Sequence, residues 1–207
     1  PRHRMQHVYA WGLYAFMTFS WVLLKDFRRL FRYNQMGLLE SQGTTLAAAF
    51  TKILITKVVY WTYMIAVPIM IGYPVWLVFA AFFLMHFIGG LLLAMIFQPA
   101  HVMESNEFVS SDTDVIEESY ESHQLKTTSN FAPSNKLLTW YCGGLNYQVE
   151  HHLFPSISHV HYPAISKIVR ETAQEYGLPY HSVETFGEAL SIHQRTLKKL
   201  GDPSWTA

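Results

Sequence analysis

Between residues 75 and 97 the chain carries no Asp, Glu, Lys or Arg. Coiled as a helix at about 1.5 Å per residue, such a run covers the hydrocarbon core of a bilayer. Only His86 interrupts its apolar character. Residues 53–72 are nearly as apolar, with Lys57 close enough to the N-terminal end to snorkel towards headgroups and Pro68 marking an expected kink. Gly72-Tyr73-Pro74 joins the two runs, and a turn that short forces an antiparallel transmembrane hairpin.

Composition enters here because it decides between a membrane hairpin and a large soluble core. Half of the residues are hydrophobic (50%) and only 14% are charged, while six Trp and twelve Tyr are available for interfacial belts. A formal net charge of zero argues against nucleic acid as a partner. The single cysteine, Cys142, excludes intramolecular disulfides and multi-cysteine zinc or iron–sulfur sites, so any metal chemistry falls to histidine.

Arg28, Arg29, Arg32, Lys52 and Lys57 flank the hairpin entry, which the positive-inside rule assigns to the cytoplasm. Two crossings return the chain to that face, and residues 98–207 are expected there as a cap. Residues 8–24 are short for a span and basic at both ends, which predicts an interfacial or re-entrant helix rich in aromatic residues. In the cap, Glu104, Glu107, Asp112, Asp114, Glu117, Glu118 and Glu121 form an acidic run, read either as a solvated face or as a docking surface for a basic partner. Helical spacing predicts helices over residues 162–175 and 183–200, with Ile165, Ile168 and Val169 on one stripe and Phe186, Leu190, Leu197 and Leu200 on another. The expected fold is an all-α membrane protein: a transmembrane helical hairpin, an interfacial helix, and a cytoplasmic helical cap carrying a metal site.

The metal expectation comes from Gln148-Val149-Glu150-His151-His152, followed by Leu153-Phe154-Pro155. On a helix, positions i, i+3 and i+4 share a face, so Gln148, His151 and His152 point one way. Two imidazoles and an amide then converge, a donor set that suits iron, zinc, copper or nickel. Pro155 disfavours helix at Phe154 and places the pair at a helix end. On spacing alone the same residues also fit a polar surface turn.

The run Gly143-Gly144-Leu145-Asn146-Tyr147-Gln148-Val149-Glu150-His151-His152-Leu153-Phe154-Pro155 resembles the third histidine box of the membrane fatty acid desaturases. Gln148 stands where the front-end acyl branch has glutamine in place of the first histidine. Gln98-Pro99-Ala100-His101-Val102, His123-Gln124-Leu125 through Asn130-Phe131, and His159-Val160-His161-Tyr162-Pro163 extend the likeness, which runs from Arg4 to beyond Tyr180.

The resemblance implies an oxygen-dependent di-iron enzyme that uses two electrons to introduce a cis double bond into an acyl-lipid or acyl-CoA. It implies two non-haem iron ions, an electron donor such as ferredoxin or cytochrome b5, and a multi-pass membrane location with the metal site on the cytoplasmic face. His151 and His152 are the foremost ligands it implies, with Gln148 a ligand or holder of a metal-bound water. His101, just past the second span, and His123 follow. Glu150 and Asn146 are expected to orient imidazole N–H groups, a support that metal-bound histidines usually require. His159 and His161 are expected to be structural, and His86 to be hydrogen-bonded to a neighbouring helix. His3, His7, His181 and His193 have no usable partner spacing.

Neither an HxxxH nor an HxxHH pattern stands upstream of the hairpin except His3 with His7, which is read as coincidence. The expectation is therefore a C-terminal portion of a desaturase domain, lacking the N-terminal half with its first two boxes and inactive alone. A fatty acyl hydroxylase or oxidase on the same scaffold, a non-catalytic membrane relic, and a zinc hydrolase remain as alternatives. The last is disfavoured because HExxH is missing.

Overall fold

The computed structural model describes residues 2–108 and 118–204. Asp112, Asp114 and Glu117 of the acidic run lie outside the described residues. The chain divides into two units, residues 11–92 and residues 1–10 with 93–207.

The helical path runs from α1 (Gln6–Ala15) through a short turn of helix and a π-helical turn at Trp21–Lys25 into α2 (Asp26–Gln35). Helix α3 (Leu46–Met70) follows, and then α4 (Val75–His101); both are long and apolar enough to cross a membrane. Helix α3 starts ahead of the apolar run because Thr45 caps it, its hydroxyl accepting the Ala48 N–H at 3.2 Å. Pro68 lacks an N–H, and a π-helical turn at Thr62–Ala66 sits immediately before it. Gly72, at φ 103°, makes the turn into α4.

The Lys57 ammonium has a partner of opposite charge within reach: it lies 2.6 Å from the Asp26 carboxylate and 3.1 Å from the Trp21 carbonyl. His86 is buried, with Nε2 2.7 Å from the Tyr60 hydroxyl and Nδ1 3.1 Å from Thr18 Oγ1, so both ring nitrogens are satisfied by neighbouring helices. Gly90 lets the backbones of α4 and α1 touch, since a Cβ there would stand 2.3 Å from the Ala15 carbonyl oxygen.

The second unit holds α5 (Tyr120–Thr127), β1 (Ser129–Phe131), α6 (Lys136–Tyr141), α7 (Gln148–Leu153), α8 (Tyr162–Glu175), β2 (His181–Val183) and α9 (Phe186–Leu200). The two strands pair in parallel, Ser129 with His181, Asn130 with Ser182 and Phe131 with Val183, which corrects the all-α expectation. Three-residue strands are too short for an alternation to show in sequence. The last helix starts at Phe186 and not at residue 183, because Val183 belongs to β2 and Thr185 Oγ1 caps the helix by accepting the Glu188 N–H.

Two apolar clusters bracket the region of the histidine motif. One gathers Ile96, Ala100, Met103, Phe131, Ala132 and Ala189, with Leu138 and Cys142 packed against it. The other gathers Leu125, Val149, Val169 and Ala173, with Leu153, Phe154 and Ile165 against it. Val149, fully buried in the second cluster, anchors α7 from a flank of the helix off its ligand-candidate face, a burial worth about 1.5–3 kcal/mol.

Candidate metal centre

Helix α7 has no side-chain cap of its own at Tyr147, and Asn130 from β1 supplies one: its Oδ1 accepts the Val149 N–H at 2.9 Å. The helix ends at Leu153, where Phe154 leaves helical geometry ahead of Pro155. This single short helix brings Gln148, His151 and His152 to one side.

His101, from the end of α4, joins them. Its ring centroid lies 5.0 Å from that of His152, and the His151 and His152 centroids are 5.8 Å apart. Gln148 Nε2 lies 3.1 Å from His152 Nε2, and His152 Nδ1 lies 2.6 Å from Gln124 Oε1. The Gln124 oxygen only accepts, so Nδ1 carries the proton and Nε2 keeps its lone pair, accepting the Gln148 N–H. Burial, with the neighbouring His101 and His151 adding to it, lowers the His152 pKa to about 4 and holds the ring neutral. His151 Nδ1 stands 3.4 Å from the Tyr162 hydroxyl.

His123 is not drawn into this group; its Nδ1 faces Glu118 Oε1 at 3.3 Å. Successive residues on a helix point about 100° apart, so Gln124 can reach His152 while its neighbour turns away.

Glu150 and Asn146 do not orient imidazoles. Glu150, fully buried, accepts from Asn130 Nδ2 and from the Tyr180 hydroxyl, both at 2.8 Å. Burial pushes its carboxyl pKa up against the opposing effect of those two donors. The side chain points away from the imidazoles because position 150 lies off the 148/151/152 face. Asn146 Nδ2 donates to the Ala132 carbonyl at 3.2 Å and to Thr139 Oγ1 at 3.0 Å, fastening a turn in which Ala132 sits at φ 47°. The groups whose contacts fix the rings are Gln124 at His152 and Tyr162 at His151, neither of which has a sequence spacing that announces the role.

His159 and His161 are exposed on a short 3₁₀ turn, and His159 Cβ packs where a side chain at Gly144 would otherwise sit. His193 is buried, its Nδ1 3.0 Å from the Val102 carbonyl.

The donor set has the chemistry of a histidine-held metal: a neutral imidazole with a fixed tautomer, two further imidazoles beside it, and the Gln148 Oε1, buried without a hydrogen-bond partner. It is not a closed cage. Among the described residues no group of three or more His, Cys, Asp or Glu side chains is arranged to hold an ion.

With this geometry in hand, comparison defines the class. Residues 1–184 match the family described as fatty acid desaturase, and the chain belongs to that family. It is 34% identical to the sn-1 linoleoyl-lipid 6-desaturase of Synechocystis sp., over 98% of this chain and 56% of that protein. The enzyme of the same description from Arthrospira platensis is 35% identical over 96% and 53%, and the acyl-lipid (8-3)-desaturase of Physcomitrium patens 34% over 96% and 41%. The chain thus spans about half the length of these curated relatives. No solved structure matches it.

Proposed function

We propose that the chain forms the part of a membrane fatty acid desaturase that carries the third histidine box, acting on a fatty acyl lipid. The observation that carries this is the relay from Gln148 N–H to His152 Nε2 and from His152 Nδ1–H to Gln124, with the His101 and His151 rings beside it. A half-buried imidazole held neutral, with one nitrogen pinned and the other offered to an amide, is a ligand prepared in advance. His101, His151 and His152, with Gln148, would hold iron; His123 would join them only by releasing Glu118. Two non-haem iron ions would supply the redox chemistry by which dioxygen and two electrons take two hydrogens from the acyl chain.

The residues of this chain then have defined work. Gln124 keeps the proton on Nδ1 of His152. Asn130 fixes the start of α7, and Val149 anchors that helix in the core. Helices α3 and α4 cross the bilayer and return the site to the cytoplasmic face, where a ferredoxin or cytochrome b5 would deliver electrons. An acyl chain entering from the membrane meets the site with its methylenes fixed in register, which is how nearly identical C–H bonds are told apart. The names of the relatives support an acyl-lipid as the substrate class.

The test is a graft. The chain replaces the matched segment of the Synechocystis relative, and cellular fatty acids are analysed by mass spectrometry. A new double bond in the acyl chains, lost with His152→Ala while membrane insertion persists, is the expected result. Hydroxylated chains, or a fully inserted graft with no product and no iron, would overturn the reading.

A further inference from the structure

Helix α6 is apolar on two opposite faces. Leu138 and Cys142 turn inward and pack on the cluster that contains Ile96 and Ala100, from the end of the apolar helix α4. Leu137, Trp140 and Tyr141, at i, i+3 and i+4, share the other face and are 73%, 76% and 64% exposed. Lys136 stands exposed at the start of the helix. Asn135 caps it, its Oδ1 accepting the Leu138 N–H at 3.0 Å, so the helix is held in place while presenting these side chains outward. Nothing in the folding of this unit gains from that face: three large apolar side chains are left in the open on six residues.

Chemistry selects the occupant. Trp and Tyr with an adjacent Lys are the residues enriched where a protein meets the headgroup level of a bilayer, since each has an apolar body and a polar tip. The place in the fold agrees, because the inner face of α6 packs on the cluster that holds Ile96 and Ala100, from the last turns of an apolar helix long enough to cross a membrane. We propose that α6 is a membrane anchor, whose Leu137, Trp140 and Tyr141 enter the headgroup and acyl boundary and hold this unit against the lipid. An interfacial helix of this kind sits about 5–10 Å into that boundary.

The experiment is spin-label accessibility on the protein reconstituted in phosphatidylcholine nanodiscs. Cys142→Ser removes the native thiol and retains a hydrogen-bond donor towards Asn146. Labels are then placed singly by Leu137→Cys and Trp140→Cys, with Leu84→Cys in the apolar span as the lipid standard and Ile168→Cys on the exposed side of α8 as the water standard. Expected is a higher collision rate with oxygen than with a nickel chelate at 137 and 140, as at 84, and the reverse at 168. Labels at 137 and 140 that match position 168 would overturn the proposal. So would labels there that are immobile and shielded from both reagents, which would mean that protein covers the face. A Leu84 label exposed to the chelate would remove the span itself and the anchor with it.

Discussion

Gln124 Oε1 accepts the Nδ1 proton of His152 at 2.6 Å, across 28 positions of sequence. One amide thereby decides which nitrogen of the best-prepared imidazole is free. Gln124→Leu should weaken iron retention in the grafted enzyme by about 10- to 100-fold, the usual cost of losing such a partner. Gln124→Glu keeps an acceptor and should restore most of it. Iron per protein measured by plasma emission checks this, and equal iron in the Leu variant would refute the role.

The carboxylate of Glu150 is held by donors from β1 and from the loop before β2, with the Arg170 guanidinium 5.0 Å over the Tyr180 ring. Burial and the adjacent Glu150 charge push the Tyr180 phenol pKa up, so it stays a donor. Tyr180→Phe leaves a buried charge short of one hydrogen bond and should cost about 1–3 kcal/mol. The check is the thermal unfolding midpoint in detergent; an unchanged midpoint would mean that water replaces the phenol.

Gly90 and Gly89 form a matched pair in α4. A Cβ at Gly90 meets the Ala15 carbonyl at 2.3 Å, whereas one at Gly89 meets nothing within 4 Å. Gly90→Ala should destabilise by about 1–3 kcal/mol through overpacking, and Gly89→Ala should not. Resistance to proteolysis in bicelles separates the two, and like behaviour would dissolve the claimed contact.

His193 is buried with its pKa lowered, burial outweighing the bond to the Val102 carbonyl. The unfolded state therefore takes up the proton first. Stability is full above the ordinary imidazole value of 6.5 and is lost as pH falls from there towards the folded value. His193→Asn keeps an N–H donor and cannot titrate, so its loss of stability over that window should be shallower by up to about 1.4 kcal/mol per pH unit. Chemical denaturation at stepped pH measures the slope, and parallel curves for the two proteins would refute the assignment.

Local rules made much of this chain legible. Hydropathy marked α3 and α4 because a charge-free run declares itself residue by residue, and the i, i+3, i+4 rule put Gln148, His151 and His152 on one face of α7. Lys57 and His86 show where that stops: each is settled by a partner on another segment, Asp26 for one, Tyr60 and Thr18 for the other.

The sequence by itself determined that the chain is largely helical with two membrane-length segments, and that imidazoles must carry any metal chemistry. Only the tertiary structure decided that His101 joins His151 and His152 while His123 turns to Glu118, and that Gln124, rather than Glu150 or Asn146, pins a ring. The reason is physical. Helix periodicity and hydropathy act between near neighbours and are written along the chain, whereas a hydrogen bond to a ring nitrogen depends on which donor or acceptor packing delivers within about 3 Å, and distant residues supply it.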